Sequence, residues 1–190
     1  MMTAAVQRLD ESVRAMLAAH FLALPVTDRY LRFGRVAPAF IAAYVDRIDF
    51  DHDAVFGVHD DRLALVGAAH VAFEGGLAEL GLSVLPAYRG RGVGGALFKR
   101  ALAHARNRRI PRFFIHFLAE NAPVMRMARR FGMHIVTRAG EVDAHLELPP
   151  ASLGSIAGEF VTDAFALYDR ALKALAAAWK HLPRAGRQGV

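Results

Sequence analysis

Apolar residues recur along this chain with two different periods, and together they predict a mixed α/β fold. Spacings of three and four residues, typical of amphipathic helices, mark the N-terminal part and the stretches after Gly92 and Asn121. Alternation of apolar and polar residues, typical of half-buried strands, dominates the stretch before Pro86. The predicted helices span residues 10–24, 28–34, 38–48, 92–107 and 123–131, and the predicted strands span residues 54–58, 63–73, 77–85, 112–118, 133–138 and 142–148.

Short turns between the strands predict that most of the sheet is antiparallel. Residues 59–61 separate the first two strands, and residues 74–76 separate the second from the third. Such short connections join antiparallel neighbours, because a parallel pair needs a long crossover. The last two strands are predicted to form a hairpin around Ala139 and Gly140.

The stretch from Ser83 to Leu102 combines a strand, a loop rich in glycine and arginine, and a helix. The strand ends at Pro86, the loop reads Arg-Gly-Arg-Gly-Val-Gly-Gly from Arg89, and the helical spacing begins directly after it. The first N–H groups of a helix lack intrahelical partners, and the helix dipole is positive at that end. Glycines allow a phosphate to approach the backbone closely. The stretch therefore predicts a site for a ligand that carries a diphosphate.

Two classes of cofactor fit a glycine loop between a strand and a helix, and one of them is a dinucleotide. Gly90-x-Gly92-x-x-Gly95 satisfies the dinucleotide fingerprint, and Glu120 ends the following strand, where such folds place a ribose-binding acid. That motif normally lies early, in a parallel βαβ unit, whereas three antiparallel strands are predicted before it here. A Walker loop is not indicated, because no Gly-Lys-Ser/Thr follows.

The loop also matches a second, more specific pattern. Arg89-x-x-Gly92-x-Gly94 has the Q/R-x-x-G-x-G/A form of the GNAT superfamily, the acyl-CoA N-acyltransferases. The segment AELGLSVLPAYRGRGVG, which contains this loop, resembles the strand and loop that precede the cofactor-binding helix in that family.

The resemblance covers much more than the loop. Asn121 follows the next strand and the sequence FGM at 131–133 closes the next helix, so that residues 55–148 resemble a whole GNAT core. The segments RYLRF and IDFDHDAVFGV are similar, more loosely, to a bacterial subgroup that includes protein-lysine acetyltransferase domains. For the family's first strand, residues 4–8 are the only candidate. The resemblance implies an α/β (α+β) fold with a central mixed, mostly antiparallel sheet flanked by helices.

The resemblance also implies that acetyl-CoA is the cosubstrate. In the family, the loop N–H groups hold the pyrophosphate, and the strand before the loop diverges from the next strand, so that its free backbone pairs with the pantetheine arm. Asn121 would contact the pantetheine or thioester region, and Arg89, Arg91 and Lys99 would meet phosphate charge. The implied cofactor-binding residues are Leu82, Ser83, Val84, Arg89, Gly90, Arg91, Gly92, Val93, Gly94, Gly95 and Asn121.

Transfer to an amine needs a base for the ammonium and an acid for the leaving thiolate. Glu79 is the candidate base, because some family members carry a catalytic Glu on this strand; the alternative is a strand residue that faces solvent. The Tyr that the family often carries near position 128 is replaced by Ala128. His116 on the next strand is the candidate acid, although it could be simply packed or solvated, and the thiolate could also leave unassisted.

Composition narrows the class of protein. The formal net charge is +6 and the pI is about 10.3, so the protein could bind either a nucleic acid or a small polyanionic cofactor. No helix-turn-helix or aromatic stacking platform supports nucleic acid. The chain has no cysteine, and its histidines lack metal-ligand spacing, so we expect neither disulfides nor a metal. No signal peptide or membrane span is evident, and a cytoplasmic location is expected.

Two prolines, at 149–150, separate a C-terminal segment from the rest. We expect an acyltransferase domain over residues 1–149, with a helical part at 1–49 and a core at 50–149, followed by an amphipathic helix and tail at 150–190. The apolar stripe of that helix is expected to pack on its own domain or on a partner subunit, as in a homodimer. The stripe contains Leu153, Ile156, Phe160, Ala164, Leu167, Ala171, Leu175, Ala178 and Leu182.

The function that these residues favour is transfer of an acetyl group from acetyl-CoA to a primary amine, on a small molecule or on a protein lysine or N-terminus. A catalytically inactive CoA-binding regulatory module is the alternative, and the missing Tyr supports it. The hypothesis that the protein binds nucleic acid rests on its charge alone. The acceptor is expected to enter opposite the cofactor, against the N-terminal helices, where several side chains either line the mouth or pack the helices together. These side chains are Asp28, Arg29, Tyr30, Arg32 and Phe33.

Overall fold

The computed structural model describes residues 4–181, and the centre of this part is a sheet of seven strands. Their order is β1-β2-β3-β4-β5-β7-β6, and every neighbouring pair is antiparallel except β4 with β5. The predicted mixed, mostly antiparallel sheet is confirmed. The strands are β1 (Gln7–Leu9), β2 (Ala54–His59), β3 (Leu65–Glu74), β4 (Leu77–Val84), β5 (Arg112–Leu118), β6 (His134–Arg138) and β7 (Glu141–Glu147).

Six helices accompany the sheet within residues 4–181. The first is preceded by a 3₁₀ turn, Glu11–Val13, where the Asp10 carboxylate accepts from the N–H of Ser12 at 2.9 Å. The second begins at Val26, two residues before its predicted start, directly after Pro25. The helices are α1 (Arg14–Leu22), α2 (Val26–Phe33), α3 (Pro38–Asp46), α4 (Val93–Asn107), α5 (Ala122–Arg130) and α6 (Leu153–His181).

The first strand of the sheet is short and lies at its edge. β1 pairs antiparallel with β2, with Arg8 opposite Phe56, and it overlaps only the end of the candidate segment 4–8. Three residues are too few to show an alternating period, which is why the sequence gives the strand so little signal. Leu9 is buried while Arg8 is exposed, as an edge strand with one covered face requires.

Strands β4 and β5 form a fork. Only three residue pairs join them, from Leu77 opposite Arg112 to Glu79 opposite Phe114, and beyond Glu79 the two strands separate. β4 continues to pair with β3 as far as Val84 opposite Gly67. The β4 edge from Leu80 to Val84 therefore has no strand partner on the β5 side.

Two hydrophobic cores lie on opposite faces of the sheet. One packs α4 and α5 on the sheet around Phe98, Leu80 and Phe113, where the Phe98 and Phe113 rings meet edge to face. The other packs α1 and α3 on the sheet around Phe21 and Ile41. The side chains of Val13, Leu17, Phe21 and Leu24 are buried in this second core.

Helix α6 lies against α4 and β1 through a polar face. Glu159 accepts from Arg100 and Asn107 and bonds His104, Asp163 accepts from Arg100, and the amide of Gln7 donates to the carbonyl of Ala166. Ala166 is buried at the centre of this contact.

The apolar stripe of α6 points away from the domain, which corrects the expectation that it packs on its own domain. Phe160 is 71% exposed, Leu167 66% and Leu175 58%. The reason is that the buried cation of Arg100, 5% exposed, attracts the acidic face of the helix instead. Leu182, the last member of the predicted stripe, lies outside the described residues. No helix within residues 4–181 is both long and apolar enough to cross a membrane.

Candidate active site

A cavity of about 550 Å³ opens where β4 and β5 separate. Its walls come from the second half of β4, the loop before α4, the first turn of α4, the length of α5, and α2. The side chains and backbone that line it are Leu24, Asp28, Leu31, Arg32, Leu82, Ser83, Val84, Tyr88, Arg89, Gly90, Gly92, Val93, Gly94, Gly95, Asn121, Pro123, Val124, Arg126, Met127, Arg130 and Phe131.

The glycine loop forms one end of this cavity. Gly90 and Gly92 have φ of +72° and +86°, a region that other residues adopt only with strain, and Gly92 directly precedes α4. The Arg89 N–H donates to the Pro86 carbonyl, and the Ala96 N–H donates to the Gly92 carbonyl. Within residues 4–181, no backbone hydrogen bond of the loop uses an N–H group between Arg89 and Ala96. These amides and the positive end of the α4 dipole suit a phosphate.

The free edge of β4 forms the wall beyond the loop. Leu82, Ser83 and Val84 line the cavity, and their backbone has no partner on the β5 side. An extended ligand can add to such an edge through main-chain hydrogen bonds. At the helix that faces this edge, Asn121 is buried and its side-chain oxygen accepts from the Val124 N–H at 3.4 Å. Asn121 thereby caps the N-terminus of α5.

Four arginines and one acid give the cavity a positive charge. Arg89, on the loop, is tied to Asp28 of α2 at 2.5 Å and also donates to the carbonyl of Val84. Arg126 and Arg130 lie one turn apart on α5, and neither meets a carboxylate among the side chains described. Sequence reasoning missed both, although their spacing just after the capping Asn121 was a usable signal.

Most of the predicted cofactor-binding residues meet in this one cavity. Arg91 does not line it: its side chain is exposed and lies over the ring of Tyr88 at 5.4 Å. Lys99 is exposed on α4 and is also absent from the lining. The predicted residues that line the cavity are Leu82, Ser83, Val84, Arg89, Gly90, Gly92, Val93, Gly94, Gly95 and Asn121.

The two predicted catalytic residues lie near the fork but outside the cavity lining. Glu79 is exposed at the last residue pair that joins β4 to β5, and buried Leu80 beside it points to the opposite face. His116 is 44% exposed on β5 and its Nδ1 lies 2.8 Å from Asp143 on β7. The structure thus brings neither group into the cavity beside the cofactor loop.

Position 128 holds no acid, and the hydroxyl of the tyrosine that lines the cavity is engaged elsewhere. Ala128 is fully buried in the core. Tyr88 lines the cavity, but its hydroxyl donates to Asp60 at 2.8 Å, and this hydrogen bond raises the pKa of the phenol. No tyrosine therefore replaces the family residue at its usual place.

Ser83 of the cavity wall is hydrogen-bonded to a buried histidine, His20, and no sequence pattern indicates this pairing. His20 of α1 bonds the Leu65 carbonyl through Nδ1 at 2.9 Å and the Ser83 hydroxyl through Nε2 at 2.8 Å. Burial lowers the pKa of His20 to about 4, so the ring is neutral near pH 7. Because a carbonyl can only accept, Nδ1 carries the proton and the Ser83 hydroxyl donates to Nε2.

A protein-family model matches the sequence. It is described as the acetyltransferase (GNAT) family, and the match covers residues 21–133, which include the glycine loop and Asn121. A search of curated proteins finds no match.

Solved structures with the same fold are numerous. The GNAT domain of S. lividans PAT is similar with a TM-score of 0.68 and 22% identity, over 75% of this chain and 89% of that one. The Salmonella typhimurium yncA structure, which contains its cofactor acetyl-CoA, has a TM-score of 0.63 and 16% identity, over 80% of this chain and 97% of that one. The PaiA N-acetyltransferase of Thermoplasma acidophilum, in complex with coenzyme A, has a TM-score of 0.60 and 14% identity, over 77% of this chain and 99% of that one. At these identities the similarity shows a shared fold and nothing more specific.

Proposed function

Because the chain belongs to the GNAT acetyltransferase family, we propose that it transfers an acetyl group from acetyl-CoA to a primary amine. The observation that carries this proposal is the β4–β5 fork, whose free strand edge runs into the phosphate-binding end of α4. Coenzyme A has the matching order of groups: a thioester, an extended pantetheine arm with amides, and a pyrophosphate.

The cofactor is proposed to lie along β4 with its pyrophosphate on the loop. Amides between Gly90 and Gly95 receive the pyrophosphate, and the backbone from Leu82 to Val84 pairs with the pantetheine arm. Arg126 and Arg130 are free to meet phosphate oxygens, whereas Arg89 must first exchange Asp28 for phosphate. The location proposed for the protein is the cytoplasm, since the reaction needs acetyl-CoA in the same compartment.

Glu79 is proposed as the base, because it stands where the two strands part and faces away from Leu80. It takes a proton from the acceptor ammonium, and the free amine attacks the thioester carbon to form a tetrahedral oxyanion. The attacking nitrogen then loses its second proton to solvent, the C–S bond breaks, and coenzyme A thiolate leaves as the amide forms. His116 remains the candidate that returns a proton to the thiolate, and its partner Asp143 would orient the ring.

The first experiment measures turnover of acetyl-CoA with a panel of primary amines in wild type and in Glu79→Gln. The chain has no cysteine, so a thiol reagent reports only the coenzyme A that is released. We expect Glu79→Gln to lower kcat by about 10²–10⁴-fold, the usual contribution of a general base. The control is Glu74→Gln, an exposed glutamate on the neighbouring strand β3. Equal rates in wild type and Glu79→Gln would remove Glu79 from the mechanism.

A catalytically inactive CoA-binding module is the second candidate, and Ala128 is the observation that favours it, since the position of the family acid is apolar and fully buried. The same experiment separates the two functions. Tight binding of coenzyme A without thiol release on any amine supports the module and contradicts the transferase.

A homodimer through α6 is proposed as the assembly. The support is the exposed apolar stripe, which the domain itself leaves uncovered at Phe160, Leu167 and Leu175.

A further inference from the structure

A chain of hydrogen bonds connects four side chains, which come from α2, α3, β3 and the segment just before β2. The Asp53 carboxylate, just before β2, lies 2.8 Å from Nε2 of His70 on β3. Nδ1 of His70 lies 2.7 Å from the hydroxyl of Tyr44 on α3, and that hydroxyl accepts from Nη2 of Arg32 on α2 at 3.0 Å.

The direction of each bond in this chain is fixed by its two ends. Arg32 can only donate and an ionised Asp53 can only accept, so Arg32 donates to Tyr44, Tyr44 to His70 and His70 to Asp53. Burial lowers the pKa of His70, which agrees with the neutral ring that this direction requires. The chain therefore holds the Arg32 guanidinium in one orientation.

That guanidinium lies over Gly81, in the separated part of β4. A Cβ at residue 81 would collide with Nη1, Nη2 and Cζ of Arg32, so glycine makes room for the cation. Arg32 also lines the cavity, and its guanidinium stands 4.8 Å from the ring of Phe33 and 5.6 Å from that of Tyr44. The cation is thus placed on the strand that leads to Leu82, and Gly81 and Glu79 share one face of that strand.

The charge of Arg32 is held in place but not neutralised. Its Nε is buried without a hydrogen-bond partner, and no carboxylate within residues 4–178 lies within salt-bridge distance of it. Two other arginines with restrained side chains differ in this respect, since Arg89 has Asp28, and Arg100 has Glu159 and Asp163. A partly buried guanidinium without a counter-ion favours an anionic ligand.

We propose that the amine acceptor is a small aminocarboxylate, and that Arg32 binds its carboxylate. This inference rests on the proposed transferase function. The phosphates of coenzyme A have their own proposed site at the glycine loop, which begins at Gly90, six residues after the end of β4. A planar carboxylate matches the fork of a guanidinium, and one bound over Gly81 keeps the attached amine near Glu79. Asp53, His70 and Tyr44 act as positioning residues for Arg32.

The test compares acceptors in pairs that differ only by the carboxylate. Suitable pairs are L-lysine with cadaverine, L-tryptophan with tryptamine, and L-methionine with 3-(methylthio)propylamine. In wild type we expect kcat/KM to be about 10–100-fold higher for the carboxylate member, the range of a charged hydrogen-bonded contact. Arg32→Met should abolish the preference through a higher KM, and Arg32→Lys should keep a part of it, because it keeps the charge without the fork.

Two further variants test the positioning chain and the general effect of charge. Tyr44→Phe removes the restraint on Arg32 and should reduce the preference without changing rates on the amine that lacks a carboxylate. The control is Arg35→Met, an exposed arginine that follows α2 and does not line the cavity; it should leave the preference unchanged.

Three results would overturn the proposal. The first is equal use of both members of each pair by wild type. The second is a preference that survives in Arg32→Met. The third is a loss of kcat in Arg32→Met that is the same for both members, which would instead make Arg32 a group that polarises the acyl carbonyl.

A binding measurement separates failure of this inference from failure of the transferase itself. Calorimetric titration of the carboxylate members into the protein saturated with coenzyme A needs no turnover. Binding to wild type that Arg32→Met weakens by about 10-fold or more supports the anion site even if no amine is acetylated. Absence of binding by every carboxylate would overturn it.

Discussion

His20 and Ser83 illustrate at the scale of single residues how the fold sets the chemistry of the cavity wall. A histidine that is 3% exposed loses most of its hydration, so burial disfavours its charged form. The neutral ring accepts the Ser83 hydroxyl proton, and Ser83 consequently offers oxygen lone pairs to any ligand along β4. This part of the wall is therefore an acceptor surface, next to the β4 backbone that is proposed to hold the pantetheine arm.

The same histidine makes stability depend on pH. In the unfolded chain His20 takes a proton below about pH 6.5, but in the folded protein only near pH 4. The free energy of unfolding therefore falls as the pH drops through this window, by at most about 1.4 kcal/mol per pH unit for each such group. Burial also lowers the pKa of His59 and His70, so they contribute with the same sign.

Urea unfolding of wild type and His20→Gln between pH 7 and pH 4.5 measures this effect. Glutamine can replace both hydrogen bonds without titrating, so we expect the free energy of unfolding of the variant to depend less steeply on pH than that of wild type. His134→Gln, at an exposed position on β6, serves as the control. A slope in His20→Gln equal to that of wild type would contradict the assignment.

The site residues that the sequence could identify are those that act through their backbone. Gly90 and Gly92 need positive φ angles, and that need is visible as glycine in a strand–loop–helix pattern. Arg32 was named only as one of several residues at a possible mouth, because its place over Gly81 depends on how α2 crosses β4. The Ser83–His20 bond joins residues 63 positions apart, which no local pattern indicates.

Helix α6 shows that the packing partner of a whole element also depends on residues far away in the chain. Its apolar stripe predicted a buried face, and sequence alone could not choose between the domain and a partner. The choice depends on Arg100, which is buried on α4 and bonds both Glu159 and Asp163. Burial alone would raise the pKa of Glu159, but hydrogen bonds from His104, Asn107 and Arg100 lower it to about 2.

Replacing Glu159 should therefore release α6. Glu159→Ala leaves the Arg100 cation with Asp163 as its remaining partner, and breaking a buried pair costs about 3–5 kcal/mol. Because the pKa is lowered, the contribution of Glu159 is complete above about pH 4.5 and is lost as the pH falls toward about 2. Hydrogen exchange of the α6 amides measures the release.

The control for this variant is Thr162→Ala, an exposed position on the same helix whose hydroxyl bonds only the Gly158 carbonyl. We expect faster exchange along α6 in Glu159→Ala and wild-type exchange in the control. Unchanged protection of α6 in Glu159→Ala would show that the polar network does not hold the helix on the domain.

At the scale of the whole molecule, the apolar surface of α6 is too large for an ordinary exposed face. The exposed parts of its large apolar side chains amount to on the order of 900 Å², taking about 150–250 Å² for each aromatic ring. The largest apolar patch on a typical monomer is about 300–600 Å². A stable dimer buries about 800 Å² on each partner. These side chains are Leu153, Phe160, Val161, Phe165, Leu167, Tyr168, Leu172 and Leu175.

The repeat along α6 also fits helix-to-helix packing between two copies. Phe160 and Leu167 are seven residues apart, and Ala164 and Ala171 alternate with them, so that two helices could approach closely along one seam.

We expect wild type to sediment as a dimer at micromolar concentration, and the double variant Phe160→Glu with Leu167→Glu to sediment as a monomer with the fold intact. Thr162→Glu, on the other side of the helix, should remain dimeric. A monomeric wild type, or a dimer that survives both charges, would mean that the stripe is not the interface. Since the cavity is built from residues of one chain, the monomeric variant should also keep its affinity for coenzyme A.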